Sequence, residues 1–136
     1  MSLRFSKFSN NVSRPKVLVV EDNEILAEYF ADVFSRDFDV RSAFSAEQAI
    51  VKVGDFAPDL IWLDILLGEH SAFAFLNELR TYADTLRTPV MICSDMTENL
   101  GEELLREYGV VRIFDKSKMR PGEILRTAKE ILNETN

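Results

Sequence analysis

Three short runs in this chain are apolar at every position: VLVV at 17–20, LIWL at 60–63 and VMIC at 90–93. A strand with one face in water alternates apolar and polar residues, so an unbroken apolar run needs cover on both faces, which a parallel sheet between two helical layers supplies. Two further β-branched runs complete a set of five candidate strands at 16–20, 38–43, 60–63, 90–93 and 110–114. The intervening segments carry apolar residues at helical spacing. Ile25, Leu26, Tyr29, Phe30, Val33 and Phe34 mark a first helix, and Ala46, Ala49, Ile50 and Val53 a second behind a Ser45/Gln48 capping box. A third covers about 71–82 with Phe73, Leu76 and Leu79 inward, a fourth follows Thr97 with Leu100, Leu104, Leu105 and Tyr108, and the last carries Ile124, Leu125, Ala128, Ile131 and Leu132. Strand and helix alternate throughout, the pattern of βαβ units in one doubly wound α/β sheet.

The 136 residues, 46% of them hydrophobic, suffice for one core and leave no room for a second domain of ordinary size. A net charge of −7 argues against a domain that holds a nucleic acid by itself, since that affinity rests on Lys and Arg against phosphates. The single cysteine, Cys93, excludes an internal disulfide and reads as a buried, inert thiol in a reducing cytosol. No apolar run approaches the roughly 20 residues that cross a bilayer, and residues 1–14 lack the apolar centre of a signal peptide, so a cytoplasmic protein is expected. Residues 1–14, rich in Ser, Asn, Arg and Lys, are set aside as a flexible arm, a linker or an expression remnant, and 15–136 as the folded domain. Phe5 and Phe8 stand out there: a polar arm has no core of its own, so their burial needs the domain or a partner.

Ligand sites of open parallel sheets lie beyond the carboxyl ends of the strands, where the winding reverses. Four strand ends here are polar: Glu21, Asp22 and Asn23 after the first, Asp64 after the third, Ser94 and Asp95 after the fourth, Asp115 and Lys116 after the fifth. The first and third groups meet only if those strands are neighbours, as in the order 2-1-3-4-5. Carboxylates sharing a cleft must be protonated or share a cation, and an all-oxygen site with few protein ligands suits Mg²⁺ or Mn²⁺. Asp64, alone after LIWL, is then the candidate nucleophile toward phosphorus, with the Ser94 hydroxyl and Lys116 ammonium placed to receive phosphoryl oxygens. Taken singly, Asp22 or Asn23 reads as a helix cap, Asp64 as a turn residue, and Lys116 as a solvated charge. The coincidence of four strand ends carries the functional reading.

Over about residues 15–133 the sequence resembles the receiver domain of two-component response regulators. KVLVVEDNE is similar to that family's first strand with its acidic pair, PDLIWLDILLGEHSAF to its phosphoacceptor segment, and PVMICSD and IFDKS to the segments bearing its hydroxyl residue and lysine. The spacings agree: 42 residues from Asp22 to Asp64, 30 to Ser94 and 22 more to Lys116. The resemblance implies a flavodoxin-like five-stranded sheet in the order 2-1-3-4-5. It implies a phosphoacceptor at Asp64 and a metal site of Glu21, Asp22, Asp64 and the Leu66 backbone carbonyl. Lys116 and Ser94 would bind the phosphoryl group and begin the switch. The donor would be a histidine kinase or histidine phosphotransfer protein. The reader would be an output domain or downstream protein on the face of the fourth helix, fifth strand and fifth helix, where exposed polar positions also leave room for a homodimer. Such a domain catalyses its own phosphotransfer and is not a turnover enzyme. An aspartyl phosphatase would usually carry a second Asp two residues after the nucleophile, and Leu66 stands there.

Several positions depart from the family pattern. Ile113 replaces the usual rotating aromatic. Ser117 replaces a proline after Lys116, leaving that peptide either trans or a strained cis. Asp95 adds a carboxylate beside Ser94, where it narrows access or points to solvent. Gly68 and Ala72 replace a frequent Pro and Gly. Ile113, Ser117 and Asp95 support an alternative, a receiver-like interaction module with little or no phosphorylation-driven switching. His70 is expected as a solvated loop residue. Leu66 and Met96 are apolar where water would approach an acyl phosphate, so autodephosphorylation should be slow. Loss of label from the phosphorylated protein measures this, and a lifetime of seconds would rule it out.

Overall fold

The computed structural model describes residues 14–65, 69–95 and 106–135. The elements run β1 (Lys16–Val20), α1 (Glu24–Phe34), β2 (Asp39–Ala43), α2 (Ala46–Phe56), β3 (Leu60–Asp64), α3 (Glu69–Thr81), β4 (Val90–Ser94), β5 (Val110–Asp115) and a C-terminal helix, here α4 (Pro121–Thr135). All five strands are parallel, in the order β2-β1-β3-β4-β5. The sheet is therefore the doubly wound one expected, and β1 lies beside β3 at the point where the winding reverses. The expected helix after Thr97, with Leu100, Leu104 and Leu105, falls outside the described residues. Tyr108, its last inward residue, meets the Phe73 ring edge-on at 6.1 Å.

The three apolar runs account for the two-sided core. Their side chains alternate between faces. Val17, Val19, Leu60, Trp62, Met91 and Cys93 pack under α1 and α4, while Leu18, Val20, Ile61, Leu63, Val90 and Ile92 pack under α2 and α3. Trp62 is the centre of the first layer, with Phe30, Phe34 and Phe114 rings at 4.9, 5.5 and 5.5 Å. Ala72, replacing the frequent glycine, is fully buried in the second.

The buried face of each helix is narrower than its set of apolar residues at helical spacing. Ala27, Phe30, Val33 and Phe34 form the buried stripe of α1, whereas Ile25 is 80% exposed and Tyr29 43%. Ile25 sits two residues from Ala27, about 200° around the helix, so both cannot face the sheet. Ile50, 40% exposed, stands about 100° around α2 from the buried Ala49. Phe75, together with Leu76 and Leu79, is buried on α3, and Phe73 is only partly so.

Local hydrogen bonds set the helix starts. Asn23 caps α1, its side chain accepting from Leu26 N at 3.0 Å. Ser45 Oγ accepts from Gln48 N at 3.1 Å, and Gln48 Oε1 accepts from Phe44 N at 3.0 Å, one residue earlier than in a standard capping box. Phe38 N–H donates to Phe34 O at 2.9 Å, so Phe38 closes the turn after α1 and β2 begins at Asp39. His70 lies in the first turn of α3 rather than in a loop.

Strand β5 carries one extra residue. Val90 pairs with Val110 and Met91 with Arg112, which leaves Val111 bulged and 51% exposed. A bulge reverses which face each later residue occupies. Val110 and Ile113 consequently lie in the α2/α3 layer, and Phe114 in the α1/α4 layer.

Truncating Phe34, buried against Trp62, to Ala should cost about 3–5 kcal/mol. The exposed Val51→Ala should change stability by no more than about 0.5 kcal/mol. Urea unfolding of both variants measures the difference.

Candidate functional site

Strands β3, β4 and β5 each run one residue further than expected, so Asp64, Ser94 and Asp115 are strand residues. Asp64 pairs with Cys93 in register and Ser94 with Asp115. The sheet ladder itself fixes their backbones. Glu21 is held just beyond β1, where its N–H donates to Ala43 O at 3.0 Å. Glu21 and Asp64 continue the face of Val17, Val19 and Trp62, and the bulge in β5 brings Lys116 to that same face.

The side chains meet there. Lys116 Nζ donates to Asp64 Oδ2 at 3.0 Å and stands 3.8 Å from Glu21 Oε1. Glu21, Asp64 and Ser94 are buried, and Lys116 nearly so. Glu21 Oε2 accepts from Asn23 N at 3.2 Å, whereas Glu21 Oε1 is buried with no hydrogen-bond partner. One ammonium thus faces two carboxyl groups. Burial first, then contact with Asp64, pushes the Glu21 carboxyl up to about 8, against the opposing pull of the Asn23 amide and Lys116. Burial alone would lower the Lys116 ammonium, but the hydrogen bond to Asp64 and the neighbouring Cys93 and Glu21 outweigh it and raise it.

Carboxylate oxygens of Glu21 and Asp64 and the Cys93 sulfur lie within 4.8 Å of one another. A hard divalent cation fits the two oxygens: it would satisfy the orphaned Glu21 Oε1 and relieve the repulsion. Cys93 was expected as an inert strand thiol, and burial does hold it protonated, well above the usual thiol range. Its place under Asp64 was not foreseen, although alternation in VMIC puts it on Trp62's face. Asp22 is exposed and stands outside this group. Leu66 and Met96 lie outside the described residues. Asp95 is exposed, and Ile113 is partly buried against the α2/α3 layer.

Sequence reading also missed what holds Lys116. Lys116 N–H donates to Ser94 O at 3.0 Å. On its other side, Asp115 Oδ1 accepts from both Ser117 Oγ at 2.7 Å and Ser117 N at 2.9 Å, and Asp115 O accepts from Lys118 N and Met119 N. The Ser117 hydroxyl, then its amide, keep the Asp115 carboxyl below its ordinary range. There is no cis peptide among the described residues, so Lys116–Ser117 is trans. Ser117 turns the chain through its side chain, as Asx- and Ser-turns do. The signal was the Asp-x-Ser spacing around the lysine.

Comparison with known proteins agrees with this fold. Residues 17–129 match the family described as response regulator receiver domain. A protein-glutamate methylesterase/protein-glutamine glutaminase of Oleidesulfovibrio alaskensis is 30% identical over 115 residues, 81% of this chain and 32% of that protein. Hybrid signal transduction histidine kinase D of Dictyostelium discoideum is 30% identical over 105 residues, 76% of this chain and 7% of that protein. The chain thus spans a third or less of these relatives. In solved structures, the fold matches a sensor protein from Polaromonas sp. JS666 with a TM-score of 0.81, at 18% identity, covering 90% of this chain and 99% of that one. It matches the Vibrio cholerae chemotaxis protein CheY4 with a TM-score of 0.78, at 19% identity, covering 87% and 98%.

Folding raises the Glu21 carboxyl from its ordinary 4.5 to about 8, so between those values the folded protein holds a proton that the unfolded chain has released. Without divalent cations, the contribution of Glu21 to stability should therefore be fully present below about 4.5 and be lost as pH rises toward about 8. Urea midpoints across that range should show the decline, Glu21→Gln should flatten it, and Mg²⁺ should offset it most at the alkaline end. An unchanged slope in Glu21→Gln would assign the pH dependence to another group.

Proposed function

This chain belongs to the response regulator receiver domain family, and on that premise we propose that it is a phosphoacceptor switch with Asp64 as the acceptor. The observation that carries the reading is a buried Asp64 carboxylate at the sheet's switch point, 3.0 Å from the Lys116 ammonium and facing Glu21. In this reading Glu21 supplies a second carboxylate, and the Ser94 hydroxyl, buried at the end of β4, would be recruited to a compact dianion.

The donor is the phosphohistidine of a histidine kinase or histidine phosphotransfer protein. An Asp64 oxygen attacks phosphorus, the bond from phosphorus to the imidazole nitrogen breaks, and that nitrogen keeps the electron pair and is protonated. The product is an acyl phosphate on Asp64. Lys116, already paired to Asp64, shifts its ammonium to a phosphoryl oxygen, and the Ser94 hydroxyl donates to another. Glu21, Asp22, Asp64 and the Leu66 carbonyl would hold Mg²⁺ or Mn²⁺, which when bound neutralises charge on the phosphoryl oxygens.

Recruiting Ser94 draws on the backbone of β5, because Ser94 O holds Lys116 N. The face of β5, α4 and the segment after Thr97 therefore feels the change, and a downstream protein or output domain reads it as a shift between two surfaces. Ile113 cannot act as a rotating aromatic, and its neighbour Phe114 is packed against Trp62. Transmission rests on backbone and apolar packing instead. The proposed compartment is the cytoplasm; no helix among the described residues is long and apolar enough to cross a membrane.

Incubation with acetyl phosphate and Mg²⁺ should add one phosphoryl group by intact mass, and Asp64→Asn should abolish it. Lys116→Ala should keep the fold, as read by circular dichroism, yet slow the reaction by at least about tenfold, since the loss of a charge-assisted contact is worth about 1.5–3 kcal/mol. Absence of the adduct with small donors and with a cognate kinase would leave a receiver-like interaction module.

A further inference from the structure

Helix α1 leaves an apolar edge uncovered on the side away from the sheet. Ile25 and Tyr29 project there, into a groove of about 800 Å³ between α1 and the outer edge of β2. Three carboxylates, Glu28, Asp32 and Asp39, line the same groove. None of the three forms an ion pair with another described residue. The groove is thus apolar with acidic margins, and its fourth charged residue is Arg14, where the described chain begins.

Arg14 is already bound to the groove's lower end. Its Nη2 donates to Ser35 O at 2.9 Å, and Asp39 N–H donates to Pro15 O at 2.9 Å. The preceding residues 1–13 carry Leu3, Phe5 and Phe8 interleaved with Arg4 and Lys7, and no carboxylate. That is the complement of the groove: aromatic rings for Ile25 and Tyr29, cations for Glu28, Asp32 and Asp39. The lengths also agree. From Ser35, Tyr29 lies about 9 Å and Ile25 about 15 Å back along the helix at 1.5 Å per residue. Phe8 is six residues from Arg14 and Phe5 nine, with extended reaches of about 20 and 30 Å.

We infer that residues 3–13 of this chain lie along the α1/β2 groove, with Phe8 and Phe5 covering Tyr29 and Ile25 and with Arg4 and Lys7 against the groove carboxylates. Ile25 is in the first turn of α1, two residues from Asn23, whose backbone N–H is bound to Glu21. The groove therefore ends beside the acidic pocket. The proposal does not depend on phosphorylation at Asp64.

A nitroxide attached to Ser6→Cys tests it in the full chain, since the buried Cys93 thiol resists labelling under native conditions. In amide correlation spectra the signals of Ile25, Tyr29 and Val40 should lose half or more of their intensity and recover when the label is reduced. Those of Val111 to Phe114, on the opposite sheet edge, should not change. Tyr29→Asp, at an exposed position, and 1 M salt, which shortens the Debye length to about 3 Å, should each weaken the effect at least twofold. Uniform broadening, broadening centred on β5, or broadening of α1 only in an isotopically labelled copy mixed with a spin-labelled one would overturn it. The last result would assign the groove to a second molecule.

Discussion

One ammonium shared between two buried carboxyl groups is the constraint around which this molecule is arranged. Lys116 pairs with Asp64 at 3.0 Å and stands farther from Glu21, whose Oε1 keeps no hydrogen bond. Burying charge costs free energy unless every ion is compensated, and here one negative group is left over. A proton on Glu21, a cation, or a rearrangement of the lysine can each resolve the imbalance. The resting pocket therefore has several ways to balance its charge.

Holding such a pocket together needs a scaffold stiffer than the pocket is unstable. The strands provide it: the ladder runs through Asp64 and Ser94, and the Trp62 aromatic cluster fills the layer immediately beneath. Lys116 is restrained from both sides, by Ser94 O on its amide and by the Asp115–Ser117 hydrogen bonds that follow. These restraints are backbone and short side-chain bonds, so the long lysine stem remains the one adjustable part. That division lets charge move in the site without unfolding the strands that carry it.

Strand content was legible in the sequence because it follows from unbroken apolar runs and from where those runs stop, whereas the order 2-1-3-4-5 rested on the resemblance to a known family. VLVV, LIWL and VMIC admit one kind of burial, and a carboxylate or hydroxyl follows each. Helix rotation was less legible. Ile25, Tyr29 and Ile50 fit a helical period as well as the residues that are buried, and only the sheet decides which stripe turns inward. Glu21 and Asp22 both read as metal ligands, and alternation along β1 separates them, placing Glu21 on the face of Val19 and leaving Asp22 exposed. The neighbour relation between Cys93 and Asp64 required the register of β3 against β4, which no local pattern encodes.

The bulge at Val111 gives β5 a parity that its sequence alone would not have. Because faces alternate along a strand, the lysine's side of the sheet depends on whether the count from Val110 to Lys116 is odd or even after that extra residue is discounted. Pairing Val111 instead of Arg112 with Met91 would conserve every residue of the chain and still carry the ammonium to the layer of α2 and α3. The site is thus guarded by strand register as well as by chemistry.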